Sequence, residues 1–316
     1  MPHYRSALPQ LGQELFLADG GLETTLIFNN GIDLPDFASF HLLRTAEGQD
    51  ILREYFRTYA ALARHYGTGL VAETATWRAS ADWMTTRGLT AEDSREVHRR
   101  SVSLLESLRA EYPTVPIVIS GCIGPRGDGY VPSTRMSIRH AEAYHQSQAD
   151  MLAEAGADML CAMTLNYVEE AIGIVHAARR AAMPIAIAFT VETDGRLPTG
   201  QSLASAVRLV DAATGAYPAY YMVNCAHPSH FAHLLDPAES WTRRVRGIRA
   251  NASCMSHAEL NEAPELDAGD PVALAAAYVD IRQRLPHVTV LGGCCGTDHR
   301  HIERIAAACA PVLASV

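Results

Sequence analysis

Lysine is absent: all 26 basic residues of the 316-residue chain are arginines. A lysine Schiff base, a covalently held pyridoxal phosphate and a Walker A phosphate loop each need an ammonium-bearing side chain, so these chemistries are excluded. Acidic residues outnumber basic ones by 35 to 26, a net charge of −9. That balance argues against a nucleic-acid partner or an anionic membrane surface. No apolar run reaches the roughly 18–20 residues that span a bilayer. Met1–Gly20 also lacks a basic stretch followed by an apolar one, so no secretory leader is expected and a cytoplasmic location is. Cysteine is scarce and odd in number, seven, with two adjacent. This suits a reducing compartment with metal or thiol chemistry better than a disulfide framework.

Hydrophobic residues make up 48% and charged residues 19%, a globular composition. Eight short, β-branched apolar runs punctuate the chain: Leu15–Gly21, Leu70–Thr74, Val115–Gly121, Asp158–Thr164, Pro184–Val191, Ala219–Cys225, Val245–Ala250 and Val288–Gly293. Nearly continuous stretches such as VPIVIS and PIAIAF fit parallel strands buried on both faces. Helical spacing fills the gaps. Ile51, Leu52, Tyr55, Phe56, Tyr59, Leu62 and Tyr66 share one stripe, and Thr90 with Asp93 forms a capping box. Asp270–Pro271 opens a helix, and another begins near Asp298. Eight strands alternating with helices predict an α/β fold, a (β/α)8 TIM barrel in one domain over residues 1–316. An open doubly wound sheet fits less well, because no Gly-x-Gly-x-x-Gly follows the first strand. Two long loops, Leu22–Asp50 after strand one and Cys254–Gly269 after strand seven, fall at the carboxyl end of the barrel, where sites are built.

The chemistry concentrates at Asn224–Cys225 and at GGCCG, Gly292–Gly296, at the carboxyl ends of strands six and eight. Adjacent strand residues point to opposite faces, so Cys294 and Cys295 can share a ligand only where the strand breaks. The flanking glycines permit that break. Three thiolates, from Cys225, Cys294 and Cys295, can hold zinc with one position open. The resulting anionic centre is a poor activator of water but a good host for a fourth thiol, held as a nucleophilic thiolate. Alkyl transfer to sulfur matches this better than zinc-dependent hydrolysis. His227, two residues from Cys225, is a competing ligand, with His230 and His233 nearby. Cys122, Cys161, Cys254 and Cys309 read as buried, inert cysteines.

The chain resembles the homocysteine S-methyltransferase family, which includes the betaine– and S-methylmethionine–homocysteine methyltransferases. The likeness runs through ADGGLETTL (Ala18–Leu26), ETATWRAS (Glu73–Ser80), IGP (Ile123–Pro125), YVEEA (Tyr167–Ala171), FTVETDGRLPTG (Phe189–Gly200), VNC (Val223–Cys225) and GGCCGTDHRHI (Gly292–Ile302). The resemblance implies a zinc-bearing barrel with Cys225, Cys294 and Cys295 as ligands. It implies a small thiol such as homocysteine as the acceptor and fourth ligand, and a methyl sulfonium or ammonium compound as the donor. It also implies a role in methionine biosynthesis. No catalytic side chain is implied beyond the zinc-bound substrate thiolate.

Two positions depart from the family pattern. Met163 stands where a glutamate would hold the amino group of homocysteine, and a thioether cannot neutralise an ammonium. Glu73, Asp19 and Glu192 are candidate replacements. Arg78 stands where relatives carry tyrosine or glutamine, and its guanidinium can fork onto a substrate carboxylate. The other substrate-binding candidates are Gly20, Gly21, Asn224 and Asn251, and Trp77 with Trp83 can face a sulfonium methyl group by cation–π contact. Alternative readings are a zinc- or thiol-binding barrel without turnover, and a methyltransferase for a thiol other than homocysteine. Homo-oligomerisation is left open.

Overall fold

The computed structural model describes residues 2–132, 135–263 and 265–310. Eight parallel strands close into a barrel in chain order. They are β1 (Phe16–Ala18), β2 (Gly69–Glu73), β3 (Ile117–Ile123), β4 (Met159–Leu165), β5 (Ile185–Phe189), β6 (Tyr220–Asn224), β7 (Val245–Ala250) and β8 (Val290–Gly293). Each overlaps one of the eight apolar runs. β1 pairs with β8 through Phe16↔Val290 and Leu17↔Leu291, which closes the ring. Nearly every strand residue is buried, as expected when one face meets helices and the other fills the barrel. Phe16, Val71, Val118, Met159, Cys161, Ala186, Tyr220, Met222 and Val290 pack together in one cluster. A larger cluster, containing Leu17, Leu70, Ile117, Leu160, Ile187 and Leu291, joins the sheet to the helices.

The long helices are α1 (Ala46–His65), α2 (Ala91–Glu111), α3 (Ile138–Ala155), α4 (Val168–Arg180), α5 (Leu203–Thr214), α6 (Pro271–Arg284) and α7 (His299–Cys309). In α1 the predicted stripe buries Leu52, Tyr55, Phe56 and Tyr59. Each such side chain contributes roughly 1.5–3 kcal/mol by leaving water. Thr90 and Asp93 form the expected capping box at the start of α2. Asp270 caps α6 ahead of Pro271, and Asp298 caps α7. Between β6 and β7 the helix is reduced to Pro228–Phe231 and two 3-10 turns, Ala232–Leu234 and Ser240–Arg244. Pro237 disfavours the helical conformation at Asp236, so the turn cannot continue.

Both long loops contain helix. Thr45 accepts a hydrogen bond from the Gly48 amide (3.1 Å), which starts α1 inside the segment read as loop. After β7, Ser256 and Glu259 form a capping box that opens a short helix, His257–Glu262. Among the described residues, no helix is long and apolar enough to cross a membrane.

Candidate functional site

A cavity of about 360 Å³ opens at the carboxyl ends of the strands, and Cys225, Cys294 and Cys295 lie in its wall. Their three sulfurs lie within 4.8 Å of one another. Cys225 and Cys294 are paired as a disulfide, with Cα atoms 5.2 Å apart. Joint coordination of a metal therefore requires this pair to be reduced. The donor set fits a soft or borderline cation such as zinc: three sulfurs converge on a cavity that leaves space for a further ligand. The expected break in β8 is present, because the strand ends at Gly293 and the two cysteines follow in a turn.

The turn is held from several sides. The Cys294 amide donates to Ala250 O (2.8 Å), and Cys294 O accepts from Thr297 N (3.1 Å). Cys295 O accepts from Ala252 N (3.1 Å). A Cβ on Gly21 would lie 2.5 Å from Cys294 O, so only glycine permits this approach of the β1 loop. Gly296, at φ +79°, makes the left-handed exit from the turn. Cys225 also adopts a positive φ, +53°, which is costly for a residue with a side chain. Its amide donates to Arg249 O (3.0 Å). Its carbonyl accepts from His257 Nε2 (2.6 Å), Asn251 Nδ2 (3.1 Å) and Thr190 Oγ1 (3.3 Å).

The sulfurs have few polar neighbours. Asn224 Nδ2 donates to Cys225 Sγ (3.3 Å) and to Thr164 Oγ1 (2.8 Å). Tyr130 OH lies 3.9 Å from Cys295 Sγ, and its ring packs against that of His257, with centroids 4.1 Å apart. Burial pushes the Cys295 thiol up to about 11, and the nearby Glu23 charge adds to this. A bound cation would reverse that preference by stabilising the thiolate directly.

Asp19, Gly20, Gly21, Glu73, Arg78, Met163 and Asn224 all line the cavity. Asp19 and Glu73 are committed to a buried arginine. Arg249 pairs directly with Asp19, and its Nη1 lies 3.8 Å from Glu73 Oε1. Burial raises Glu73 to about 7, with Arg249 opposing the shift. Burial also opposes the charge on Arg249, but Asp19 and Glu73 outweigh it and raise its pKa. Met163 is 7% exposed, and its carbonyl accepts from Trp77 Nε1 (3.3 Å).

Arg78 is half-buried and lines the cavity, and its guanidinium lies over Trp77 (4.9 Å) and Trp83 (4.3 Å). The cation that the two indoles face is therefore this side chain. Asn251 braces Cys225 from outside the lining, and Glu192 contacts His257 (3.1 Å) rather than the cavity.

The histidine alternatives lie outside the metal-competent cluster. His227 accepts from Ser229 N (3.2 Å) as a helix cap, and His230 Nε2 donates to Cys254 O (2.9 Å). His233 lies in the 3-10 turn Ala232–Leu234. Among the described residues, only Cys225, Cys294 and Cys295 form a group that could hold a metal. Cys122 and Cys161 are buried as read, but Cys309 is partly exposed and Cys254 is exposed in the loop after β7, where no apolar layer covers it. Sequence reasoning missed Glu23, Asp128, Tyr130 and Arg249 in the cavity wall and His257 behind it. Arg249 had a legible signal, a charged residue inside an otherwise buried strand.

A family model described as homocysteine S-methyltransferase matches residues 16–309. The chain is 26% identical to the homocysteine S-methyltransferase of Escherichia coli over 312 residues, 93% of this chain and 95% of that one. It is 25% identical to one from Bacillus subtilis over 316 residues, 93% of this chain and 94% of that one. The solved structures of the E. coli homocysteine methyltransferase MmuM share the fold. Its oxidised form gives a TM-score of 0.76 at 22% identity, covering 96% of this chain and 99% of that one. Its metallated form gives 0.74 at 22% identity, covering 94% and 96%. The chain is a methyltransferase and belongs to the homocysteine S-methyltransferase family.

Proposed function

We propose that this enzyme methylates the sulfur of a small thiol, homocysteine being the first candidate, using zinc held by Cys225, Cys294 and Cys295. The observation that carries the reading is the convergence of those three sulfurs, within 4.8 Å, on the wall of one cavity. When bound there, zinc would keep the acceptor thiol ionised at neutral pH, so no separate general base is needed. The methyl donor is a sulfonium or ammonium compound. The acceptor sulfur forms the new S–CH₃ bond in line with the breaking one. The donor leaves as a neutral sulfide or amine, and the thiol proton passes to solvent.

The protein's own residues orient the reactants and limit water. Asn224 aims its amide at Cys225 Sγ and is fully buried. Trp77 and Met163 give the cavity an apolar wall, and the Gly20–Gly21 backbone brings the β1 loop against the cysteine turn. Holding two reactants in such an arrangement removes much of the entropic barrier to transfer.

Metal analysis with labelled-methyl transfer, under reducing conditions, tests this. The wild-type protein should carry one zinc per chain and move label from a sulfonium donor to an added thiol. Cys225→Ser, Cys294→Ser and Cys295→Ser should each lose most of the metal and at least about 100-fold in kcat/KM, as expected for removal of a direct ligand. A folded Cys294→Ser protein with full zinc and full activity would refute the ligand assignment.

A further inference from the structure

Among the described residues, the carboxylates lining the cavity are Asp19, Glu23, Glu73 and Asp128, and the guanidiniums are Arg78 and Arg249. Three of these six face one another: Arg249 pairs with Asp19, and its Nη1 lies 3.8 Å from Glu73 Oε1, while Glu73 Oε2 has no hydrogen-bond partner. Asp128 Oδ1 accepts from the amides of Tyr130 (2.8 Å) and Val131 (2.9 Å), closing its own turn. Asp128 is exposed, so Glu23 and Arg78 are the half-buried charges of the lining that make no ion pair within 4 Å among the described residues. Glu23 accepts from Ser39 Oγ (2.7 Å) at Oε1. Arg78 donates through Nη1 to the Asp36 carbonyl, a neutral acceptor, and its buried Nε has no partner. The two indoles that flank Arg78 fix the plane of its donor fork.

Both groups lose hydration without a full counter-charge. Burial lowers the pKa of Arg78 and raises that of Glu23, each shift disfavouring the charged form. The charge on Arg78 is favoured first by Asp128 and next by Glu23, and Arg78 in turn favours the charge on Glu23 against the repulsion of Asp19. A ligand carrying both signs would satisfy the two at once, and buried charges are favourable only when paired. Met163 cannot supply the acidic half, since a thioether is only a weak, uncharged acceptor.

We propose that Glu23 and Arg78 form a receptor for the α-amino-acid group of a substrate, with Arg78 forked onto its carboxylate and Glu23 accepting from its ammonium. This rests on the methyltransferase reading above. The shared chemistry is a zwitterion, which an amino-acid thiol or an amino-acid sulfonium donor can each provide.

The test compares wild type, Glu23→Gln and Arg78→Gln in methyl transfer, with zinc content and melting temperature measured alongside. One arm varies the thiol: homocysteine, its analogue without the amine and its analogue without the carboxylate. A second arm varies the donor: S-methylmethionine, a sulfonium carboxylate without the amine, and trimethylsulfonium. Glu23→Gln should raise KM for the zwitterion roughly tenfold to a hundredfold, the range of one charge-assisted hydrogen bond, with kcat and zinc little changed. It should leave the amine-free analogue within about threefold of wild type, since no ammonium is lost. Arg78→Gln should show the mirror pattern toward the carboxylate-free analogue, and Arg78→Lys should restore part of the loss. The arm in which this selectivity appears identifies acceptor or donor, and either supports the receptor. If wild type transfers methyl groups but both variants keep its preferences, or only one variant loses them, the paired receptor is overturned while the enzyme reading stands. If wild type methylates no thiol in the series, both fall.

Discussion

Cys225 is held at φ +53° by one hydrogen bond from its amide and three to its carbonyl. Such over-determination keeps a strained residue in place and fixes the direction of its sulfur. Glu73 shows a different kind of constraint. Its Oε2 has no partner, and burial raises it to about 7 from 4.5. A carboxyl whose pKa is raised on folding adds stability that is complete below pH 4.5 and is lost as pH rises through about 7. Chemical denaturation of wild type and Glu73→Gln across that window should therefore show their stability difference shifting against wild type as pH rises, by on the order of 1–3 kcal/mol. Parallel curves from pH 4.5 to 7 would contradict it.

The cysteine cluster was legible in the sequence because thiols at strand ends carry a chemistry few other residues share. Glu23 and His257 were not, since one carboxylate in a loop and one histidine after a strand have many ordinary uses. Only their placement shows which use applies. The sequence suggests Asn251 as a substrate-binding residue, whereas its amide braces Cys225 from outside the cavity lining, because spacing along a chain does not say which way an amide points.

The elements after β6, β7 and β8 work as a group. His257 begins the short helix after β7, and its ring reaches Cys225 O, Glu192 Oε1 and the face of Tyr130. Asn251, at the end of β7, holds the same carbonyl. Loosening this brace should weaken metal binding without removing a ligand. Asn251→Ala and His257→Ala should each lower zinc affinity by roughly 10- to 100-fold, the usual effect of outer partners, measured by chelator competition on the reduced protein. Affinities equal to wild type would show that Cys225 is positioned without them. The strands were readable as elements because burial on both faces leaves continuous apolar runs. The helix at His257–Glu262 was hidden, because six residues carry too little periodicity and its signal is the capping box Ser256–Glu259.

At the scale of the whole molecule, the two ends of the barrel carry different burdens. Opposite the cavity, the Asp158 carboxylate is fully buried and accepts from His3 N (2.7 Å), Tyr4 N (3.0 Å) and Ile119 N (2.9 Å), and it pairs with Arg109 of α2. Asp158→Ala leaves that guanidinium buried without a counter-charge. It should cost about 3–5 kcal/mol and lower the melting temperature on the order of 5–15 °C, while zinc per folded chain is unchanged. A calorimetric scan with metal analysis checks both halves. The barrel itself was readable because eight apolar runs alternate with helical spacing, whereas the charge pairing inside its mouth depends on contacts between residues as distant as Asp19 and Arg249.

The central claim, that three cysteine sulfurs hold one metal and leave a place for the substrate thiol, is open to zinc X-ray absorption spectroscopy. Reduced, zinc-loaded protein should show three sulfur scatterers at about 2.3 Å, rising to four when homocysteine is added. A shell dominated by nitrogen or oxygen, or a sulfur count that homocysteine does not change, would contradict the account.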